Sequence, residues 1–243
     1  MVIKLNYLAI SQPTYFPWVG YFNIIDFAKN FVFLDNVQFE RRSWQQRNKI
    51  KTPKGLEWIT VPIKVKGKRE QKIYEAEIKS DEKFPESHIK SLELNYKGCP
   101  FYKNYINDIL EIYYKNASNN LIVQLNSEFI ETISKLIGIE TKFSFSSEIN
   151  ATGKKSKLLA AICRHMSADL YVSTPGAREY LLNDKDVFDS EGIKIGIMDY
   201  QHPVYAQRFG KFQMYACILD ILFNEGPNTL SIIRSGRKEI KIV

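Results

Sequence analysis

Cysteine and histidine are scarce in this sequence, three of each in 243 residues, and their spacing builds no chemical motif. Cys99, Cys163 and Cys217 are far apart and odd in number, so they read as reduced thiols packed like small core hydrophobes in a cytoplasmic protein. There is no His-Glu-x-x-His and no Cys-x-x-Cys, and no metal is expected. A Gly-x-Gly-x-x-Gly is also missing. Gly153-Lys154-Lys155-Ser156 ends on a Lys-Ser pair but lacks the preceding phosphate cradle. The lack of a Gly-x-Ser-x-Gly elbow argues against an α/β-hydrolase. No segment approaches the ~20 consecutive apolar residues of a membrane span, so neither secretion nor integral membrane insertion is expected. No repeat, low-complexity tract or Gly/Ser linker divides the chain, and a single domain over 1–243 is expected.

What is present is an alternation of short apolar runs with helical patterns. Tyr7-Leu8-Ala9-Ile10 reads as a buried strand, residues 21–29 as a helix with Tyr21, Ile24, Ile25 and Ala28 on one face, and Phe31-Val32-Phe33-Leu34 as a second strand. Residues 56–65 and 72–78 nearly alternate, which predicts a β-hairpin closed by the basic turn Lys66-Gly67-Lys68-Arg69. Residues 85–138 turn helical and end on Gly138 as a C-terminal cap, a helical subdomain. The alternation then returns: strands at 141–145, 170–173 and 193–198, helices at 157–165 and 176–182, and a last apolar helix at 214–223. The expected fold is α/β, a Rossmann-like, mostly parallel sheet with a β-hairpin insertion and a helical subdomain.

In such folds ligands lie beyond the carboxyl ends of the strands. The turn Ser11-Gln12-Pro13-Thr14-Tyr15-Phe16-Pro17-Trp18-Val19-Gly20 occupies that place after the first strand, and Asp35 ends the second. Net charge is +7, and residues 1–55 hold eight Lys/Arg against three Asp/Glu. Arg41, Arg42, Arg47, Lys49, Lys51 and Lys54 interleave with Phe39 and Trp44. Cations beside aromatic faces suit a sugar nucleotide and a nucleic acid equally. The polar residues at strand ends and loops are Gln12, Asp35, Arg47, Asn48, Ser173, Tyr180, His202, Tyr205 and Gln207, and Asp220 is a lone acid in the last apolar helix. His202 is the leading candidate for proton transfer, because imidazole titrates near neutrality, with Asp35 as the alternative.

Five ordered blocks carry a family resemblance. They are Gln12-Pro13-x-Tyr15-x-Pro17-Trp18-x-Gly20-Tyr21-Phe22; Leu34-Asp35-x-Val37-Gln38-Phe39 with Trp44 and Arg47-Asn48; Tyr171-x-Ser173-x-x-Gly176-Ala177-x-x-Tyr180-Leu181; Tyr200-x-His202-Pro203-x-Tyr205-x-Gln207; and Ile218-Leu219-Asp220-x-Leu222-Phe223-Asn224-x-Gly226-Pro227. Together they resemble the WbqC-like protein family nearly end to end. The chain departs from it at Ser11, where many members have His, and at Cys217, where a small hydroxyl residue is usual. The resemblance implies an enzyme of bacterial cell-surface polysaccharide (O-antigen) assembly that transfers an acyl or aminoacyl group, such as glycyl, onto a nucleotide-linked amino sugar. For that reaction the residues themselves offer His202, or Asp35 with its pKa raised by burial, to take the proton from the attacking amine. Gln12, Tyr15, Arg47, Asn48, Ser173, Tyr180, Tyr205, Gln207 and Asp220 would contact substrate, with Arg47 and neighbouring cations on the diphosphate. The donor would be an aminoacyl-tRNA or a carrier-protein thioester, with no resident cofactor. Two alternatives stand beside it: an ATP-using ligase or nucleotidyl transferase at the first βα turn, and a basic RNA-binding protein using 41–54.

Overall fold

The computed structural model describes residues 5–79, 83–116 and 119–243. Strand β1 (Tyr7–Ser11) leads through the 12–18 turn into helix α1 (Val19–Phe27), followed by β2 (Asn30–Phe33). After a hairpin of β3 (Arg47–Thr52) and β4 (Gly55–Thr60) come helices α2 (Glu86–Tyr96), α3 (Tyr102–Lys115) and α4 (Ile122–Leu136). The chain then alternates through β5 (Lys142–Phe145), α5 (Ser156–His165), β6 (Leu170–Ser173), α6 (Arg178–Asn183), α7 (Lys185–Asp189) and β7 (Lys194–Tyr200). It closes with α8 (Ile218–Glu225), α9 (Thr229–Ser235) and β8 (Arg237–Ile242).

Six strands form one sheet in the order β5-β2-β1-β6-β7-β8, parallel throughout except for the antiparallel edge strand β8. Alternate residues of each strand serve opposite faces, as the period of two requires. Ala9, Phe31, Phe33, Val172 and Met198 pack on the face covered by α1, α4 and α8. Leu8, Ile10, Val32, Tyr171, Ile195 and Ile197 pack on the face covered by α5 and α7. A strand buried on both faces reads as a continuous apolar run, which is why Tyr7 to Ile10 was legible as a strand. The strand order reverses between β1 and β6. Their carboxyl ends, Ser11 and Ser173, therefore flank the topological switch point of the sheet, where α/β folds place ligands.

Gly138 follows α4 at φ +87°; its N–H reaches the Lys135 carbonyl and that of Ile139 the Ser134 carbonyl, a Schellman close. Three expectations change. The hairpin lies one strand earlier than predicted: Glu57 to Thr60 pairs backward with Arg47 to Ile50, and the 61–78 segment forms no strand ladder but meets its neighbours at the isolated bridges Ile63 to Ile78, Gln38 to Lys72 and Glu77 to Leu121. β3 had no apolar alternation to reveal it, because Lys49 and Lys51 alternate with Asn48 and Ile50. The last apolar helix begins at Ile218 rather than 214, since Tyr215 is at φ +69° and Cys217 instead bridges Trp18. β8, rich in charge, carried no strand pattern at all.

Candidate active site

The switch point opens into a pocket of about 320 Å³. Its polar lining is Ser11, Thr14, Asn48 and Thr174; its walls are Trp18, Tyr21, Trp44 and Tyr215 with Pro17. That size and mixture, an apolar cavity with a few convergent polar groups, is typical of small-molecule sites. It admits one ring system rather than a whole nucleotide sugar.

The 12–18 turn is clamped from behind by its carbonyls. Tyr21 Oη donates to Gln12 O at 2.9 Å, Asn126 Nδ2 to Pro13 O at 3.2 Å, and Asn48 Nδ2 to Tyr15 O at 3.1 Å and Phe16 O at 2.7 Å. The Gln12 side chain accepts from Gln45 Nε2 at 2.9 Å. These bonds hold Phe16 at φ +43°, a strained conformation for a bulky residue. Burial pushes the Tyr21 phenol up, so it remains a donor. Trp18 stands as the pocket wall because Gly20 leaves room for it: a Cβ there would lie 2.3 Å from the indole.

His202 stacks on Trp18, ring centroids 5.9 Å apart. Its Nδ1 donates to Pro203 O at 2.8 Å and its Nε2 accepts from Tyr215 N–H at 3.2 Å, which assigns a neutral ring. Burial lowers its pKa further. With both nitrogens spent on backbone, His202 shapes the wall and has no lone pair to offer a substrate proton, contrary to the expectation for it. Asp35 is similarly engaged: its carboxylate accepts from Ser146 Oγ at 2.9 Å, Ser147 N–H at 2.8 Å and Ser147 Oγ at 2.6 Å, splicing the ends of β2 and β5 together away from the pocket lining.

The remaining candidates separate. Asn48 lines the pocket, although its amide also clamps the turn. Tyr15 is fully buried behind the turn, bonded to His88 and Tyr113. Tyr205 Oη and Gln207 Nε2 both donate to Asp220 Oδ2, at 2.8 and 2.7 Å, a buried knot under the 201–217 segment. Burial pushes the Asp220 carboxyl up, against the pull of Tyr205, Gln207 and Tyr96. Ser173 ends β6 beside Thr174, which is the residue that reaches the pocket. Tyr180 is exposed on α6. The Cys217 thiol is fully buried and pushed up to about 12 by burial, then by Asp220, so it stays protonated.

Arg47 lies beside the pocket on β3, its guanidinium 4.2 Å over the ring of Trp58, and its buried Nε has no acceptor. Lys49 Nζ is 4.9 Å from the same ring, and Trp58 meets Trp44 at 5.2 Å. Sequence reading missed Trp58, because only the β3–β4 pairing sets it opposite Lys49. Thr14, Tyr21, Thr174 and Tyr215 were missed as well; a hydroxyl beside a strand end was the one local signal, at Thr174. Among the described residues no cluster of His, Cys, Asp and Glu suits a metal, and no helix is long and apolar enough to cross a membrane.

Comparison with known proteins agrees with this geography. The sequence model of the WbqC-like protein family matches residues 12–232, which takes in the turn, the hairpin, Thr174 and Tyr215. The chain is 36% identical over 232 residues, 95% of its own length and 99% of the relative's, to a Mycobacterium tuberculosis (strain ATCC 25618 / H37Rv) protein named "Uncharacterized protein Rv1507c". No solved structure matches it. With the family model matching residues 12–232 and a relative 36% identical over nearly its whole length, the chain belongs to the WbqC-like protein family.

Proposed function

We propose that the protein binds a nucleotide-linked amino sugar at the switch-point pocket and transfers an acyl or aminoacyl group to it, in the assembly of a cell-surface polysaccharide. The observation that carries this reading is Arg47: a guanidinium on the strand beside Asn48 of the pocket, held flat on Trp58 at 4.2 Å and paired with no carboxylate among the described residues. A planar guanidinium without an anionic partner matches a phosphate through its outer N–H groups. The pocket holds the sugar ring against Trp18, Tyr21 and Tyr215, with Ser11, Thr14 and Thr174 as hydroxyl partners. The diphosphate then lies outward on Arg47.

The reading needs no buried base. An amine with a pKa near the α-amino value of about 8 is already partly unprotonated at neutral pH, so the site contributes chiefly orientation of the amine. The test is calorimetric titration with a nucleoside-diphosphate amino sugar. Wild type is expected to bind, and Arg47→Ala to weaken binding at least about tenfold, an Arg–phosphate bond being worth about 1.5–3 kcal/mol, with an unchanged melting temperature. Binding of ATP with no response to amino-sugar nucleotides would replace this reading with a nucleotidyl-transferase one.

A further inference from the structure

Among the described residues no ion pair involves a cation between 38 and 58. Arg41, Arg42, Arg47, Lys49 and Lys54 therefore stand without a carboxylate; Arg47 and Lys49 lie over Trp58, which meets Trp44, and these indoles are half-exposed, 43% and 49% accessible. Next to Arg41 a cleft of about 490 Å³ opens between 38–41 and 65–71. Arg69 lines it, and so does Gln71, whose Oε1 is buried without a donor. Lys68 in the same cleft is paired with Glu77, and Glu40 is its one acidic lining residue. The Trp58–Trp44 step, with Arg47 and Lys49 on Trp58, ends at the pocket, since Trp44 belongs to the pocket lining.

We infer that this face is a track for single-stranded nucleic acid that takes in the Arg41–Arg69 cleft and the Trp58–Trp44 step and reaches the mouth of the switch-point pocket at Trp44. A flat apolar ring that water reaches from one side is a stacking platform for a base, and two such rings beside free cations are the recognition chemistry of single strands. A duplex keeps its base faces covered and offers the indoles nothing. An acidic peptide would meet the cations but leave both indoles in water. As the path by which a donor strand reaches the pocket, the track rests on the transferase reading; as a binding surface it does not.

The test is fluorescence anisotropy of the full chain with a labelled mixed-sequence 12-nucleotide RNA across a potassium chloride series, with nucleotide-sugar calorimetry in parallel. Three to five phosphate contacts predict a log–log salt slope of about −2 to −3.5 for a single strand. Trp58→Ala is expected to weaken the RNA by about 5- to 100-fold. The double variant Arg41→Glu/Arg69→Glu should weaken it at least about tenfold and flatten the slope, leaving the melting temperature and the nucleotide-sugar affinity as they are. The track is overturned if the RNA does not bind at about 50 mM salt, if duplex RNA or polyglutamate competes as well as the single strand, or if neither variant changes RNA affinity. Loss of sugar-nucleotide binding with RNA binding intact would sink the transferase reading and leave the track standing.

Discussion

Tyr15 Oη donates to His88 Nδ1 at 2.7 Å, behind the turn that floors the pocket. The other imidazole nitrogen faces Thr60 O at 3.2 Å, so it carries the proton, and Tyr113 Oη completes the chain by bonding Tyr15. Helices α2 and α3 are thereby tied to the turn that floors the pocket through one neutral histidine. No pattern in the sequence marked His88, which sits in the first turn of an amphipathic helix.

Burial holds His88 down at about 4, opposed weakly by the Thr60 carbonyl. The unfolded chain takes up a proton near pH 6.5 and the native state near pH 4, so the unfolded state holds more protons between them. Stability from this residue is complete above pH 6.5 and lost as pH falls toward 4, by roughly 3 kcal/mol. Burial lowers His202 in the same direction. Urea unfolding at pH 7.5, 6 and 5 should show a falling midpoint, with a flatter profile for His88→Gln. A flat wild-type profile would contradict the buried neutral ring.

Gly20→Ala drives a methyl group into the Trp18 indole. The ring must leave its place against His202 and Tyr215, which removes a pocket wall. A cost of about 1–3 kcal/mol is expected from overpacking, despite the better helix propensity of alanine. Trp18 fluorescence should shift and nucleotide-sugar affinity fall; unchanged affinity would mean that Trp18 is no part of the ligand site.

Asp35→Ala leaves the two Ser147 donors without their acceptor at the β2–β5 splice, while the Ser146 hydroxyl keeps Asn36 Oδ1 at 2.8 Å. The expected loss is about 2–4 kcal/mol of stability, with ligand affinity of the folded fraction retained. Chemical denaturation and calorimetry separate the two effects. A stable Asp35→Ala protein that had lost transfer activity would return Asp35 to catalysis.

Asp220→Ala frees Tyr205 and Gln207, and with Gln207 the Gln213 backbone that it holds at both N–H and C=O. The 201–217 segment carries Tyr215 to the pocket, so limited trypsin digestion at Arg208 and Lys211 should accelerate by about fivefold, the counterpart of about 1 kcal/mol of local stability. Asp220→Asn keeps one acceptor and should cleave at an intermediate rate. Equal rates in all three proteins would assign the segment's order to other contacts.

The amino-acid sequence by itself determined the alternation of strand and helix, the parallel sheet it implies, the cap at Gly138 and the position of the turn after β1 at the carboxyl edge of the sheet. All of these depend on local periodicity or on one residue's backbone preference, and both act within a few positions. The tertiary structure alone decided the rest. Thr174 and Tyr215 enter the pocket only because β6 pairs with β1 and Cys217 bridges Trp18 across about two hundred residues. Trp58 meets Arg47 only through the hairpin register. Asp35 and His202 have the composition of catalytic groups, but a carboxylate or an imidazole takes its role from the partners that folding brings to it. Here those partners are Ser146 and Ser147 for the one, and the backbone of Pro203 and Tyr215 for the other.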